Sequence, residues 1–294
     1  MKFLKHPEHL AEFQAGPTWP IHLAVLCTSR CQLNCPFCAV KNRQRGQDLD
    51  LDVFYGAVRK LYEHGLGAVQ FSGGDPFAWP HIDAAVSRCD MFGLAIGIQS
   101  NGVEAHEHIE ALKSVKWLRV GIYTDEQMAR LRLEELPKNL NLSITTVWHD
   151  RIAPAFLKRF RDYGRRVGAC HARVVQDLFA RNSEHAQEAP ELVKELGAPL
   201  VFVRRSDDHT DFCAIAWWKT VLDWHGYLYA CGCIGVQGEG DLPPHLRICH
   251  VNDAEKFYAK KPHDLGHRCF PCSYKDQNAM LKAALTPCDD PEFL

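Results

Sequence analysis

The chain has 294 residues, 46% of them hydrophobic and 24% charged, with a formal net charge of -2. That is the composition of a globular chain with enough apolar surface for a core, long enough for one domain plus an appendage. It excludes an electrostatic nucleic-acid binder, because Lys260-Lys261 and Arg204-Arg205 are isolated pairs and no basic stripe exists. No apolar run nears membrane-spanning length, and the start Met1-Lys-Phe-Leu-Lys-His-Pro-Glu lacks a signal-peptide core. No membrane contact and a cytoplasmic location are therefore expected. Thirteen cysteines, an odd number without an export signal, are expected to bind metal or do chemistry, not to form disulfides.

In chain order, residues 1–20 are polar with Pro17 and Pro20 and read as a surface arm. Ile21–Leu26 is a first strand. Helical spacing follows at Phe54, Ala57, Val58 and Leu61 and stops at Gly65. Gly67–Phe71 is a second strand, ending in Ser72-Gly-Gly-Asp-Pro76. Helix 79–90, strand Leu94–Ile98, helix 104–113, strand Trp117–Ile122, helix 125–135, strand Leu142–Val147, helix 152–163 and strand Arg166–Val175 repeat the rhythm. Six strands alternating with helices predict right-handed crossovers, a parallel sheet and an α/β fold. Ligands of such sheets bind at the carboxyl ends of the strands. The cysteine loop after the first strand, Gly73-Gly74-Asp75 and Ser100-Asn101-Gly102 all follow strand ends. Beyond residue 180 the rhythm fails. Helix 186–196 and strand Leu200–Arg204 lead to a hairpin of Trp217–Leu222 and Tyr227–Cys231. An irregular stretch 233–250, a short helix near 252–260 and a closing helix 275–285 finish the chain.

Behind the first strand, Cys31, Cys35 and Cys38 stand as C-x3-C-x2-C, with Phe37 just before the last. Three thiolates this close can hold three irons of a [4Fe–4S] cluster and leave the fourth open to a ligand. Half of a zinc site is the alternative, but zinc modules pair two similar two-ligand knuckles. Cys27, on the strand, is expected to be a packed thiol. The sixteen histidines are scattered without a paired motif and read as surface residues.

The C-x3-C-x2-C loop and the Gly-Gly-Asp-Pro turn resemble the signatures of the radical S-adenosylmethionine (radical SAM) superfamily, and the resemblance spans about residues 21–285. It implies a (β/α)6 partial barrel with a cluster on Cys31, Cys35 and Cys38 and S-adenosylmethionine (SAM) on the open iron. Gly73, Gly74 and Asp75 match the family's Gly-Gly-Glu-type motif for the methionyl amine, with Asp75 where Glu is commoner. Ser100 and Asn101 match a position that touches the SAM carboxylate or ribose, and Phe37 belongs to the same surroundings.

Cys213, twelve residues, Gly226, four residues and Cys231 match the opening of SPASM and twitch extensions, and Cys269-x2-Cys272 supplies the second half. A full SPASM domain would continue with cysteines where Asn278 and Lys282 stand. The resemblance thus implies a truncated twitch form. In it Cys213, Cys231, Cys269 and Cys272 hold one auxiliary [4Fe–4S] cluster, with zinc on the same residues as the alternative and Cys233 as a rival ligand. The expected division is an arm at 1–20, a barrel core at 21–180, a connecting helix and strand at 181–212, and a twitch domain with C-terminal helix at 213–294.

The implied activity is hydrogen-atom abstraction by a 5′-deoxyadenosyl radical, with flavodoxin or ferredoxin as electron donor. By length, truncated twitch and spare thiol the chain looks like the small aminoglycoside-modifying members, the neomycin-type epimerase among them. Cys249 would return a hydrogen atom to a sugar carbon, and Asp207, Asp208 and Asp211 are candidate partners for a polycationic aminosugar. One alternative is an aminocyclitol dehydrogenase whose auxiliary cluster accepts the second electron. Another is a peptide-modifying maturase, set lower because such members usually carry a full SPASM domain and an N-terminal wing longer than twenty residues. From a different class comes a zinc-binding interaction protein. The molybdopterin-pathway cyclase is set aside, since that family ends in Gly-Gly and this sequence ends Pro291-Glu-Phe-Leu294.

Overall fold

A computed structural model describes residues 5–149, 152–177, 184–203, 209–232, 243–269 and 272–286. Its centre is one sheet of ten strands among the described residues, ordered β10-β9-β8-β1-β2-β3-β4-β5-β6-β7. In chain order the strands are β1 (His22–Thr28), β2 (Ala68–Gly73), β3 (Ala95–Ser100), β4 (Trp117–Gly121), β5 (Asn141–Trp148), β6 (His171–Gln176), β7 (Leu200–Val203), β8 (Lys219–Leu222), β9 (Tyr227–Tyr229) and β10 (Arg247–His250). From β8 through β1 to β7 every pairing is parallel; β9 and β10 add an antiparallel edge. The α/β partial-barrel expectation holds.

The helices are α1 (Pro7–Ala15), α2 (Leu51–Tyr62), α3 (Ile82–Met91), α4 (Ile109–Leu112), α5 (Asp125–Arg130), α6 (Pro154–Arg166), α7 (Glu184–Leu196), α8 (Ala254–Tyr258) and α9 (Lys275–Leu285). α2 shows why such sequences fold locally. Asp50 accepts from the amides of Asp52 and Val53, satisfying orphan donors of the first turn. Its apolar positions Phe54, Ala57, Val58 and Leu61 form one buried stripe, and Gly65 (φ +93°) reverses the chain.

Two helix contacts identify the sheet's faces. Phe54 of α2 packs on Phe71 of β2 with ring centroids 5.6 Å apart. A Cβ added at Gly164 of α6 would lie 3.0 Å from Ile144 and 3.4 Å from Ala172. Phe71, Ile144 and Ala172 therefore point to the helices, on the convex side. Their strand neighbours Gln70, Thr145 and Arg173 point the other way, into the concave side.

Several expectations need correction. The polar start is not only an arm: α1 buries His9 and Phe13, and His9 Nε2 lies 3.0 Å from the carbonyl of Trp217. The helix expected at 104–113 splits into a 3-10 turn and α4, because no side chain caps either start. The helix expected at 125–135 breaks at Leu131, which is extended (ψ 136°). α6 runs on to Arg166 and ends before Gly168 (φ +68°), so the sixth strand starts at His171. Within the stretch read as irregular, Arg247–His250 forms β10, too short for its alternation to register.

Candidate active site

The loop leaving β1 is closed at its neck. Thr28 Oγ1 donates to Asp48 Oδ1 (2.6 Å), Ser29 N to the Gln47 carbonyl (2.8 Å) and Leu49 N to the Cys27 carbonyl (2.9 Å). Arg30 Nε reaches both oxygens of Asp48 at 3.0 and 2.9 Å. Inside this clasp sit Cys31, Cys35 and Cys38. Cys31 Sγ receives the Leu33 amide at 3.4 Å and Asn101 Nδ2 at 3.7 Å. Arg43, 7% exposed, donates to the carbonyls of Ser29 and Val40 (both 2.8 Å) and to Cys38 Sγ (3.6 Å). Burial pushes Cys35 up to about 12, helped by the charges of Cys38 and Cys31 and opposed by Arg43. The three thiols are thus within electrostatic reach of one another.

Gly73 and Gly74 sit against this loop's backbone. A Cβ on Gly73 (φ +129°) would lie 2.4 Å from the Thr28 carbonyl oxygen, and one on Gly74 would lie 2.0 Å from that of Arg30. The amides of Gly74 and Asp75 donate to those same carbonyls at 2.6 and 2.7 Å. Only glycine permits that approach. Asp75 is fully buried and accepts from Phe77 N (3.0 Å), Ser100 Oγ (3.1 and 2.9 Å) and Asn101 N (2.6 Å). Burial nevertheless raises its carboxyl to about 6. Asp75 and Ser100 therefore spend their polar groups on each other, fixing the ends of β2 and β3. Asn101 spends Nδ2 on Gln32 Oε1 (2.7 Å) and Cys31.

Phe37 is buried between Tyr123 and His149, with centroids at 4.7 and 4.9 Å. Burial raises the Tyr123 phenol, and the charges of Cys35, Cys38 and Cys31 add to that shift. Gln127 joins neighbouring strand ends by donating to the carbonyls of Asn101 (3.0 Å) and Gly121 (2.6 Å) and accepting from Tyr123 N (2.9 Å). Arg43, Gln32, Tyr123, Gln127 and His149 were missed in the sequence. Arg43 lies among Lys41 and Arg45, and nothing in their order tells the buried cation from the exposed ones.

A second cysteine group lies at the other end of the sheet. Cys213 precedes β8, which pairs with the start of β1, and Cys231 follows the antiparallel β9. β1 is seven residues long, so about 20 Å of strand separates this end from the Cys31 loop. Cys213, Cys231 and Cys272 are buried. Burial pushes Cys213 up to about 12, and Cys269, Cys272 and Asp264 contribute. A Cβ on Gly232 would stand 3.8 Å from Tyr274 Oη, which brings the Cys231 side beside the Cys272 side. Asn278 accepts from Ala214 N (3.0 Å) and points Nδ2 at Cys272 Sγ (4.0 Å), while Lys282 pairs with Asp211 at 2.8 Å. The two residues standing where a full SPASM domain has cysteines thus buttress the group. Asp211 is engaged there; Asp207, Asp208 and Cys233 lie outside the described residues.

Cys249 is brought to neither group. It pairs with Leu228, which continues through Leu222 and Val25 to Phe71, a row on the helix side. Burial raises its thiol to about 11, with Asp253 and Lys60 as charged neighbours. It stands three strand spacings from β1, roughly 14 Å. Among the described residues no three His, Cys, Asp or Glu side chains are close enough to grip a single metal ion, and no helix is long and apolar enough to cross a membrane.

Residues 25–167 match the radical SAM superfamily model. Among curated proteins, the PqqA peptide cyclase of Gluconobacter oxydans is 31% identical over 99 residues, covering 33% of this chain and 28% of that protein. Its counterpart from Bradyrhizobium diazoefficiens is 34% identical over 90 residues, 29% of this chain and 24% of that one. The matched stretch is thus about a quarter of those relatives' length. Among solved structures, Streptococcus suis SuiB bound to precursor peptide SuiA superposes with a TM-score of 0.60 at 14% identity, over 85% of this chain and 68% of that one. anSMEcpe with bound AdoMet and Kp18Cys peptide gives 0.58 at 13%, over 94% and 86%. Both likenesses are of fold.

The residues fit the cofactors that such a domain implies. A sulfur that receives two N–H groups, and a buried guanidinium set against a second sulfur, suit thiolates held on iron.

Proposed function

We propose that the protein is a radical SAM enzyme acting on a peptide. The observation that carries the enzyme class is the clasped loop that gathers Cys31, Cys35 and Cys38 beside Asn101, Arg43 and Tyr123 at the sheet's carboxyl end. Cys31, Cys35 and Cys38 hold a [4Fe–4S] cluster, and Gly73, Gly74, Asp75, Ser100 and Asn101 shape the pocket for SAM. When bound, the pair supplies one-electron reductive cleavage of a sulfonium and abstraction of a hydrogen atom from an unactivated carbon. The chain's own work is positional. The neck bonds fix the loop, Arg43 balances thiolate charge, and Phe37 packs the loop against Tyr123 and His149. Cys213, Cys231, Cys269 and Cys272 hold a second cluster at the opposite end, and flavodoxin or ferredoxin supplies the electron.

The substrate class rests on the relatives: two are named peptide cyclases, and two structural neighbours carry a peptide. The aminosugar epimerase reading is supported less, since it returns a hydrogen atom from Cys249, whose strand partners run in the row of Phe71.

Anaerobic reconstitution tests the enzyme class. About eight irons with matching sulfide, falling to about four in Cys213→Ser, are expected. Dithionite should cleave SAM to 5′-deoxyadenosine in the wild type and not in Cys35→Ser. Iron held without SAM cleavage would overturn the reading.

A further inference from the structure

Between Ser29 and Gln47 the chain carries Arg30, Lys41, Arg43 and Arg45 and not one aspartate or glutamate, while the whole sequence has a net charge of -2. This stretch is the Cys31 loop, in which Cys31, Cys35 and Cys38 are only half-buried. Arg43 turns inward, to two carbonyls and a sulfur. Arg30 and Arg45 stay at the surface. Arg30 is 52% exposed although it pairs with Asp48, and the exposed Arg45 donates Nη2 to the neutral Asn34 Oδ1 at 2.8 Å. Asn34, Pro36, Asn42 and Gln44, exposed on the same loop, bear no charge. The next acid in sequence after Asp48 is Asp50, which is spent on the first turn of α2.

At the second cysteine group acids and bases alternate instead. Asp264 pairs with Arg268 at 2.8 Å and Asp211 with Lys282 at 2.8 Å. An electron arriving at that end would still have about 20 Å of β1 to cross before it reached the Cys31 loop. Electron transfer slows steeply with distance, so the surface of the loop itself is the short way in.

We infer that the outer face of the Cys31 loop is the docking surface for the one-electron donor, a small acidic carrier protein of the flavodoxin class whose carboxylates meet Arg30 and Arg45. The inference rests on the radical SAM reading and adds where the electron enters and what charge its carrier bears. In the transfer the carrier's reduced flavin loses one electron and the cluster gains it; no bond forms or breaks. A basic surface raises the rate at which an acidic partner arrives and orients it on arrival, and the gain fades as salt screens it.

The test mixes the reconstituted full chain anaerobically with photoreduced flavodoxin in a stopped-flow cell and follows bleaching of the cluster's visible absorbance. The rate should fall severalfold as salt rises from about 0.05 to about 0.3 M. Arg45→Glu should slow it about tenfold or more, and Gln44→Glu, which leaves the bond from Arg45 to Asn34 in place, severalfold. Arg45→Lys should stay within about twofold of the wild type, as should Lys113→Glu, an equal change of charge ahead of β4 at the amino ends of the strands. Wild-type rates in both Arg45→Glu and Gln44→Glu would overturn the inference, as would transfer that ignores salt or a loss in Lys113→Glu equal to that in Arg45→Glu. Iron content and bleaching by dithionite, a small reductant that needs no docking surface, report separately on the cluster. Normal values there with no transfer from flavodoxin would sink only the docking site, whereas a chain that retains no iron would sink the radical SAM reading as well.

Discussion

At the scale of single residues, Arg43 and Asp75 each carry a measurable consequence. Arg43 is a buried cation whose hydrogen-bond partners are two carbonyls and a sulfur, none of them a carboxylate. A buried guanidinium without an anion is costly, and the iron-bound thiolates we propose would complete its environment. Arg43→Met should therefore reduce the rise in melting temperature that accompanies cluster loading. It should also shift the cluster's midpoint potential negative in an EPR-monitored titration, since a nearby positive charge favours the reduced form. Arg43→Lys should recover part of both. Asp75 titrates near 6 when folded, against about 3.9 when unfolded. The folded chain favours its protonated form, so the stability this group contributes is complete below about pH 4 and is lost as pH rises through about 6. In urea unfolding of the cluster-free chain, the stability of wild type relative to Asp75→Asn should fall by up to ~3 kcal/mol between about pH 4 and pH 7. A flat difference would mean that the hydrogen bonds from Ser100 and Asn101 fully offset burial.

At the scale of elements, the turn after β2 is the most constrained, because two backbones cross there with no room for a Cβ. Gly74→Ala should push the turn off the Arg30 carbonyl, costing about 1–3 kcal/mol in chemical denaturation and lowering iron retained after reconstitution. Retention at the wild-type level would show that the cysteine loop is positioned without this contact. The same turn shows what could be read in advance. Gly-Gly-Asp-Pro announces a turn by composition, and strand order puts it beside the cysteine loop. That Asp75 is buried against Ser100 depends on tertiary packing, which composition does not encode. Likewise α1 escaped notice because its buried face is only His9 and Phe13, and their partners Trp217 and Trp218 lie some two hundred residues away. Cysteine spacing singled out both thiol groups as candidates. It did not reveal that β8 and β9 carry the second one to the far end of the sheet.

At the scale of the whole molecule, the segment that bears the second cysteine group is not appended beside the barrel; it completes the sheet. β8 pairs with β1 along Lys219–Leu222, and β9 and β10 follow. During synthesis at roughly 5–20 residues per second, β1 would wait on the order of 10–40 s for that neighbour to leave the ribosome. Through that interval one flank of the first strand is a bare row of amides and carbonyls, the template on which chains stick to one another. A nascent chain halted anywhere before β8 keeps that flank open, so premature termination leaves an adhesive fragment and not a small working barrel.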